Sequence, residues 1–400
     1  MNPFLRPGSP DTDSTVSSAL AASCVGAALL LLGGCHTTCR CVLHLPAPAS
    51  APASSVALGP SFMGPDIAGG PAPVAAPRYV GMLDRFTSDS GGDADGLNAH
   101  SGLAQVSFTD DGADFDPEIS PDGRWLTYAS TRHAETSDIY RKQVDGRTMT
   151  RLTSDPAEDA MPSVSPDGRW ITFASDRTGN WDVWMMPAEG GPATQLTFES
   201  DDELHPSFCP EGDRIAYSRH NGHTGRWEIW SFEIARPGVR TYVCDGLFPR
   251  WSPDPSRSSL LFQRARERGS RFYGVWTVEF TDGGASSPTE IVSATDAAIM
   301  HPAWSPDGRR ICFSTVVRPR GTTAWSEVAD LWVIGVDGTG RSRLTAGRFR
   351  NLQPTWSPDG RIYFVSDRGG SECLWSLRGS DAGVRLKDDA LAVGADDSAD

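Results

Sequence analysis

The sequence predicts an all-β fold, a six-bladed β-propeller whose blades are four-stranded antiparallel sheets. First, the segment Ser-Pro-Asp-Gly-Arg recurs along the chain. Second, its copies lie about 45 residues apart, which is the period of one propeller blade. Third, each copy is followed by short apolar alternations and an aromatic residue. Four copies are complete and two are degenerate: Ser120–Arg124, Ser165–Arg169, Ser305–Arg309 and Ser357–Arg361, then Cys209–Gly212 and Ser252–Pro255.

The second copy shows how one repeat forms one blade. Pro166 presets φ for a turn, Asp167 bonds its own backbone, and Gly168 accepts a positive φ. Ile171 and Phe173 then alternate with smaller residues at the period of two that a strand requires. Four extended segments are predicted for this blade, in the order Pro162–Ser165, Ile171–Ala174, Asp182–Met185 and Gln195–Phe198.

One blade must contain strands from both ends of the chain if the ring is to close. The N-terminal segment Gln105–Phe108 resembles the fourth strand Gln195–Phe198, and so does the C-terminal segment Val384–Lys387. Both cannot occupy one position. We expect the N-terminal segment to complete the last blade.

The order of the motifs resembles the propeller repeats of the TolB family. Pro-x-Trp-Ser-Pro-Asp-Gly-Arg is followed by Phe-x-Ser-Asp-Arg, a tryptophan, Gly-Gly and Leu-Thr, and the resemblance covers residues 103–387. It implies that the Pro-x-Trp-Ser strand lies innermost. TolB itself carries a sizeable α/β domain before its propeller. Because the region before residue 103 reads mostly as linker, we expect a TolB-like protein that is not TolB itself.

The first 34 residues resemble the signal peptide of a bacterial lipoprotein. Residues 19–32 are small and apolar but too few to span a bilayer. They end in Leu-Gly-Gly-Cys, which implies cleavage before Cys35 and lipidation of that cysteine. An ordinary cleaved signal or a buried helix is the alternative. Residues 35–102, rich in Pro, Ala, Gly and Ser, read as a tether and loop, in which Cys39 and Cys41 are acylated, paired or free.

The net charge and the motif content of the chain disfavour several classes of function. The net charge of −15 disfavours nucleic acid, because phosphate binding requires a basic surface. Residues 388–400 form an acidic tail that reads as a solvated end. The sequence contains no Gly-x-Ser-x-Gly, Walker loop, dinucleotide fingerprint or His-Glu-x-x-His. We therefore assign no catalytic residue. The four cysteines within the repeats are expected to be buried small apolar residues: Cys209, Cys244, Cys312 and Cys373.

One position in the repeat varies in a way that suggests a site. It is the residue before the proline that begins each innermost strand, and six such residues would surround one mouth of the central channel, a common place for ligands. The six candidates are Asp116, Met161, His205, Phe248, His301 and Gln353. His205 and His301 could bind a divalent metal ion with help from Asp116 or Gln353. The alternative is a set of solvated or hydrogen-bonded channel residues.

Two other recurring patterns are interpreted as structural. The Ser-Asp-Arg segments at Ser175–Arg177 and Ser366–Arg368 recur in several blades, as do the tryptophans of the third strands, such as Trp184. A residue that serves each blade equally usually supports the fold. Three further tryptophans depart from the repeat and are candidates for an exposed contact surface: Trp181, Trp227 and Trp325.

The leading prediction is a lipid-anchored, extracytoplasmic, monomeric propeller that binds another protein or a component of the cell envelope. It would sit in the periplasm or at the outer membrane, attached only through its N-terminal lipid. No cofactor is required beyond the one divalent ion considered above. The alternative is a metal-dependent polysaccharide lyase or hydrolase that acts at the channel mouth through His205 and His301.

Overall fold

The structure is a computed structural model that describes residues 102–109, 111–265, 273–281, 284–318, 325–345 and 347–378. These residues form an all-β propeller of six antiparallel blades, as predicted. Among them there is no helix of the length and hydropathy needed to cross a membrane. The predicted signal peptide, Cys35, the segment Val384–Lys387 and the acidic tail lie outside the described residues.

The six innermost strands form the wall of the central channel. Each contains the proline that begins a repeat, and each contacts the innermost strands of the two neighbouring blades, so the ring closes. They are β2 (Asp114–Ile119), β6 (Asp159–Val164), β10 (Glu203–Phe208), β14 (Leu247–Trp251), β19 (Ala297–Trp304) and β23 (Asn351–Trp356).

The second and third strands of each blade follow in sequence and pair antiparallel. The second strands are β3 (Trp125–Ser130), β7 (Trp170–Ser175), β11 (Arg214–Asn221), β15 (Ser259–Ala265), β20 (Arg310–Val317) and β24 (Arg361–Ser366). The third strands are β4 (Asp138–Gln143), β8 (Asp182–Pro187), β12 (Arg226–Glu233), β16 (Tyr273–Thr281), β21 (Ala329–Gly335) and β25 (Cys373–Arg378).

The outer strands are mostly short. They are β1 (Ala104–Gln105), β5 (Met149–Arg151), β9 (Thr194–Gln195), β13 (Arg240–Asp245), β17 (Gly284–Ala285), β18 (Thr289–Val292) and β22 (Ser342–Arg343). In the fourth blade both β17 and β18 pair with β16, so two segments share the outer edge. Short outer strands limit the edge that is open to unwanted pairing.

Packing between blades explains the repeated apolar pair of the second strands. Ile171 and Phe173, and their counterparts in every other blade, are completely buried. A strand presents alternate side chains to opposite faces, so this pair packs into the space between neighbouring blades. The four repeat cysteines are also buried and free, as predicted.

The N-terminal strand completes the sixth blade, which confirms the predicted closure. Ala104 pairs with Ser376 and Gln105 with Trp375. The Val106 carbonyl also accepts a hydrogen bond, 2.5 Å long, from the Nζ of Lys142 in the first blade. The closing segment is therefore held by the blades on both sides of the junction.

Candidate functional site

The six predicted channel residues share an unusual backbone conformation. Their φ values lie between 51° and 57°, and they are the only non-glycine residues with positive φ in the described ranges: Asp116, Met161, His205, Phe248, His301 and Gln353. Each lies where the pairing between first and second strands shifts register, as between Phe115 and Glu118. Such a bulge bends the strand and redirects one side chain. A left-handed non-glycine residue costs about 1–3 kcal/mol.

The bulges bring the six side chains together at one end of the channel, here called the narrow ring. They line a cavity of about 30 Å³ together with neighbouring prolines and Arg250. A cavity needs about 10–15 Å³ to hold one water molecule. The narrow ring therefore has room for about two water molecules and closes this end of the channel to larger ligands.

Half of the narrow ring is a hydrogen-bonded network. Gln353 Nε2 donates to Asp116 Oδ1 over 2.5 Å, and Gln353 Oε1 accepts from the Asp116 N–H over 3.0 Å. The Met161 N–H donates to Asp116 Oδ2 over 3.1 Å. Burial raises the pKa of Asp116 to about 6, although the Met161 N–H and the Arg250 charge oppose that rise. Both carboxylate oxygens of Asp116 are thus already engaged within the ring.

The other half of the narrow ring contains two buried histidines. His205 is 8% exposed and His301 is 6% exposed. Phe248 contacts both: its ring centroid is 3.7 Å from that of His205 and 5.1 Å from that of His301. Burial, assisted by the Arg250 charge, lowers the pKa of His301 to about 3 and that of His205 well below its usual value. Both imidazoles are therefore neutral at pH 7.

The histidine side chains lack partners but do not form a complete metal site. None of their four ring nitrogens has a hydrogen-bond partner within the described ranges. However, among those residues no group of three His, Cys, Asp or Glu ligand atoms within 4.8 Å includes either histidine. Tight divalent sites use three or four protein ligands. The metal site at His205 and His301 therefore stays a prediction, and two water molecules would suit the unpartnered nitrogens equally well.

Below the narrow ring lies a second layer that the sequence analysis missed. It consists of the residues that follow the first proline of each repeat: Glu118, Ser163, Ser207, Arg250, Ala303 and Thr355. Only Glu118 and Arg250 are charged, and Arg250 Nη1 lies 3.0 Å from Glu118 Oε2. Burial raises the pKa of Glu118 despite this pairing. The sequence contained a signal for this pair: at the position after the first proline, two repeats carry opposite charges and the other four carry small or polar residues.

The opposite end of the channel opens into a larger cavity of about 440 Å³, here called the wide mouth. Its wall includes Phe208 and the three tryptophans of the Pro-x-Trp-Ser segments, Trp251, Trp304 and Trp356. The second prolines of all six repeats line its rim: Pro121, Pro166, Pro210, Pro253, Pro306 and Pro358. Because Arg250 lines both cavities, the Glu118–Arg250 pair lies between the wide mouth and the narrow ring.

The repeated arginines are structural, as predicted. Arg177 Nη2 donates to both carboxylate oxygens of Asp159, and its guanidinium lies 4.6 Å from the Trp184 ring centroid. The arginine thus joins the loop, the innermost strand and the third-strand tryptophan of one blade. The expected contact surface of three irregular tryptophans is wrong for Trp181, which is completely buried. Trp227 lies in β12 rather than in a loop, and both Trp227 and Trp325 pack partly against core residues.

Comparison with known proteins agrees with this architecture. Residues 97–278 match the family model described as the TolB β-propeller domain. A segment of 146 residues is 39% identical to the Tol-Pal system protein TolB of Anaeromyxobacter dehalogenans, covering 36% of this chain and 29% of that protein. A segment of 89 residues is 36% identical to an uncharacterised protein of Agrobacterium fabrum, covering 22% and 28%. The chain thus matches less than a third of each curated relative.

Solved structures extend the comparison of the fold. The crystal structure of TolB from Acinetobacter baumannii matches with a TM-score of 0.52 at 17% identity, covering 65% of this chain and 62% of that one. Five Pro-x-x-Ser-Pro segments, a sixth in which Cys209 replaces the serine, the inner bulges and the matched family model all point to the same repeat. Residues 97–278 therefore match the TolB-like β-propeller domain of the PD40 type, and the six blades of the described residues have the corresponding propeller fold.

Proposed function

We propose that the protein is a lipid-anchored, extracytoplasmic binding module whose wide mouth takes a segment of another cell-envelope protein. The observation that carries this proposal is the cavity of about 440 Å³ with aromatic walls and a rim of six prolines. Pockets of about 300–1,000 Å³ suit small ligands and inserted side chains. Buried aromatic anchors are also the groups that dominate binding energy at protein interfaces.

The shape of the channel favours insertion from one side. The Glu118–Arg250 pair and the narrow ring occlude the far end, so a ligand in the wide mouth meets a closed floor. Proline fixes φ, which makes the rim stiff before any partner arrives. A preformed rim reduces the entropy lost on binding. Anchoring through Cys35 rests on the sequence pattern alone, and the tether before the propeller would let the mouth reach partners away from the membrane.

A photo-crosslinking experiment tests this proposal. A benzophenone amino acid replaces Pro306, an exposed residue at the rim, in the full chain expressed in its native envelope. A control chain carries the same group at Glu135, an exposed residue in the loop between β3 and β4 on the opposite face. We expect one discrete protein adduct from the Pro306 position. Binding of that purified protein, measured by calorimetry, should weaken when Arg250 is replaced by Met.

Two outcomes would contradict the proposal. Equal adducts from Pro306 and Glu135 would indicate nonspecific proximity, and an absence of adducts at Pro306 with a folded protein would remove the mouth as a protein site. Turnover of an acidic polysaccharide that disappears in the His205→Ala variant would instead support the alternative lyase or hydrolase.

A further inference from the structure

Two grooves at corresponding places between blades lie on the face that carries the wide mouth, and an arginine that occupies the first has no counterpart in the second. The first groove, between the first and second blades, has a volume of about 280 Å³ and contains Trp125 and Arg141. The Arg141 guanidinium lies 3.7 Å from the Trp125 ring centroid. Its Nη1 donates to the Ala188 carbonyl over 2.9 Å and pairs with Glu189 Oε2 over 2.8 Å. An arginine of this chain therefore fills the first groove.

In the second groove, between the second and third blades, that arginine is missing. Arg141 pairs with Thr127 in the β3–β4 ladder, and Met185 pairs with Thr172 at the same place in the β7–β8 ladder. The second groove is correspondingly larger, about 820 Å³, and its wall includes Met185. The repeat thus provides the same recess twice, once filled and once open.

The aromatic wall of the second groove is exposed. Trp170 holds the position of Trp125, since each follows its turn serine by five residues and donates its backbone N–H to that Ser Oγ. Trp170 is 40% exposed. Within the part of the chain that the structure describes, no guanidinium lies over it, whereas Trp125 has Arg141. The Trp170 indole is therefore open to a cation from outside, and tryptophan is the most favourable ring for such a contact.

The turn that borders the second groove is more acidic than the same turn in the other blades. Three of the complete copies place Arg directly before the second strand, as in Arg169, but the third blade places Asp213 there. Glu211 occupies the position of Asp167, so the turn carries two negative charges in place of one of each sign. Glu233 also lines the groove. The two nearby arginines, Arg169 and Arg236, already pair with Asp167 and Glu233.

The change of sign is not required by the geometry of the turn. The Cys209 N–H donates to the Arg214 carbonyl over 3.0 Å, and the Arg214 N–H donates to Cys209 Sγ over 3.3 Å. The second blade forms the same pair of contacts through Ser165 and Trp170. Asp213 Oδ1 accepts a hydrogen bond from Cys209 Sγ over 3.2 Å, which leaves its other carboxylate oxygen and the Glu211 carboxylate available for recognition.

We propose that the second groove is a binding subsite for an arginine side chain of a partner protein. The guanidinium would stack on Trp170, beside the aliphatic Met185, and donate to Asp213, Glu211 and the Ile234 carbonyl. This arrangement reproduces between two proteins what Arg141 does inside the first groove. The inference rests on the proposed function in so far as the partner is a protein. Pro166 and Phe208 line both this groove and the wide mouth, so one extended segment can reach both.

A small probe tests the subsite without any partner. N-acetyl-arginine amide is titrated into the full chain while the Trp170 indole N–H signal is followed by NMR, and N-acetyl-citrulline amide serves as the neutral isostere. We expect saturable shifts at Trp170 with the arginine probe and at least tenfold weaker binding of citrulline, since citrulline lacks the positive charge that the indole face and the carboxylates attract.

Two variants separate the subsite from general charge attraction. Met185→Arg should fill the groove from within, and Asp213→Arg should restore the repeat residue; each is expected to weaken the arginine probe about tenfold or more. Glu135→Arg makes the same charge change as Asp213→Arg on the opposite face and should leave binding unchanged. Equal loss in all three variants, or equal binding of citrulline, would overturn the proposal.

The first groove supplies a positive control. Arg141→Met should open a second recess beside Trp125, and N-acetyl-arginine amide should raise the melting temperature of that variant more than that of the wild type, whereas citrulline amide should raise neither. If the Arg141→Met variant responds to N-acetyl-arginine amide in this way but the NMR signal of Trp170 does not shift, the second groove is not an arginine subsite. That result would leave the crosslinking test of the wide mouth unaffected.

Discussion

Glu118 and Arg250 come from the first and fourth blades, which face each other in a ring of six, and their side chains meet across the channel at 3.0 Å. The Arg250 side chain is 35% exposed and the Glu118 side chain 18% exposed. Such a pair is neither a surface ion pair nor a fully buried one. It connects two blades that share no hydrogen-bonded strand, and it forms the floor of the wide mouth.

Removing either partner of this pair should weaken the propeller. Arg250→Met and Glu118→Gln are each expected to lower the free energy of unfolding by about 1 kcal/mol, between the values for surface and buried pairs. The double variant should lose less than the sum, because the second change then removes no further interaction. Urea unfolding at pH 7 measures all three. Arg169→Met, whose partner Asp167 is exposed, is the control and should show no measurable loss.

The pKa of Asp116 predicts a pH dependence of stability. The folded protein holds the Asp116 proton up to about pH 6, whereas an ordinary aspartate releases it near 3.8. The folded state therefore gains most below pH 3.8, and this contribution is lost as the pH rises through 6. The stability difference between the wild type and Asp116→Asn should fall across that window by on the order of 3 kcal/mol, because the pKa of Asp116 is raised by about two units and each unit corresponds to about 1.4 kcal/mol.

Asp167 serves as a control, because its pKa is shifted in the opposite direction from that of Asp116. Hydrogen bonds from Ser165 and the Arg169 N–H lower the pKa of Asp167 to about 2. Its contribution is present above the ordinary value and is lost as the pH falls toward 2. Asp167→Asn should therefore change stability differences only below about pH 4. A difference curve for Asp116→Asn that stays flat from pH 4 to 6 would show that its proton affinity is ordinary.

The left-handed bulge residues predict an unusual tolerance of glycine. Met161 has a φ of 57° in the narrow ring, whereas Met186 is a completely buried residue within β8. Both changes to glycine remove a large side chain, but only Met161→Gly relieves a strained φ. We expect Met161→Gly to cost about 1 kcal/mol less than Met186→Gly in thermal unfolding. An equal cost would indicate that the ring carries no strain.

The predicted metal site is tested by elemental analysis of purified, dialysed protein. Because the two histidines have no third His, Cys, Asp or Glu ligand atom close to both in the described ranges, we expect no tightly held divalent ion. The His205→Ala/His301→Ala double variant is the comparison. One ion per chain that disappears in the double variant would contradict this expectation and favour the enzymatic alternative.

Lipidation predicts a dependence on a single cysteine. Cys35→Ser should prevent lipid attachment and release the protein from the membrane fraction, because the acyl chain on Cys35 is the proposed anchor. Cys39→Ser tests a cysteine of the same segment and should leave the protein in the membrane fraction. Incorporation of labelled fatty acid measures attachment directly. Membrane retention of Cys35→Ser would remove the lipoprotein interpretation.

The features shared by several repeats could be predicted from the sequence, because a comparison of the copies separates the common pattern from the exceptions in single copies. The fold class, the six blades, the closing strand near Gln105 and the structural role of Arg177 all follow from comparing copies. The assembly of the six narrow-ring residues followed from one repeat position. Trp181 was misjudged because departure from a repeat says that a residue is different, not that it is exposed.

What the sequence determined alone is thus the period, the turn chemistry and the face of each strand, since these depend on neighbours within one repeat. Only the tertiary structure shows which blades lie opposite each other across the channel. Glu118 and Arg250 are separated by three blades along the chain, and only ring closure brings them within 3.0 Å. The open groove beside Trp170 likewise exists because Met185 meets a neighbouring blade whose turn carries Asp213. Contacts between distant segments depend on the geometry of the closed ring, which no single repeat encodes.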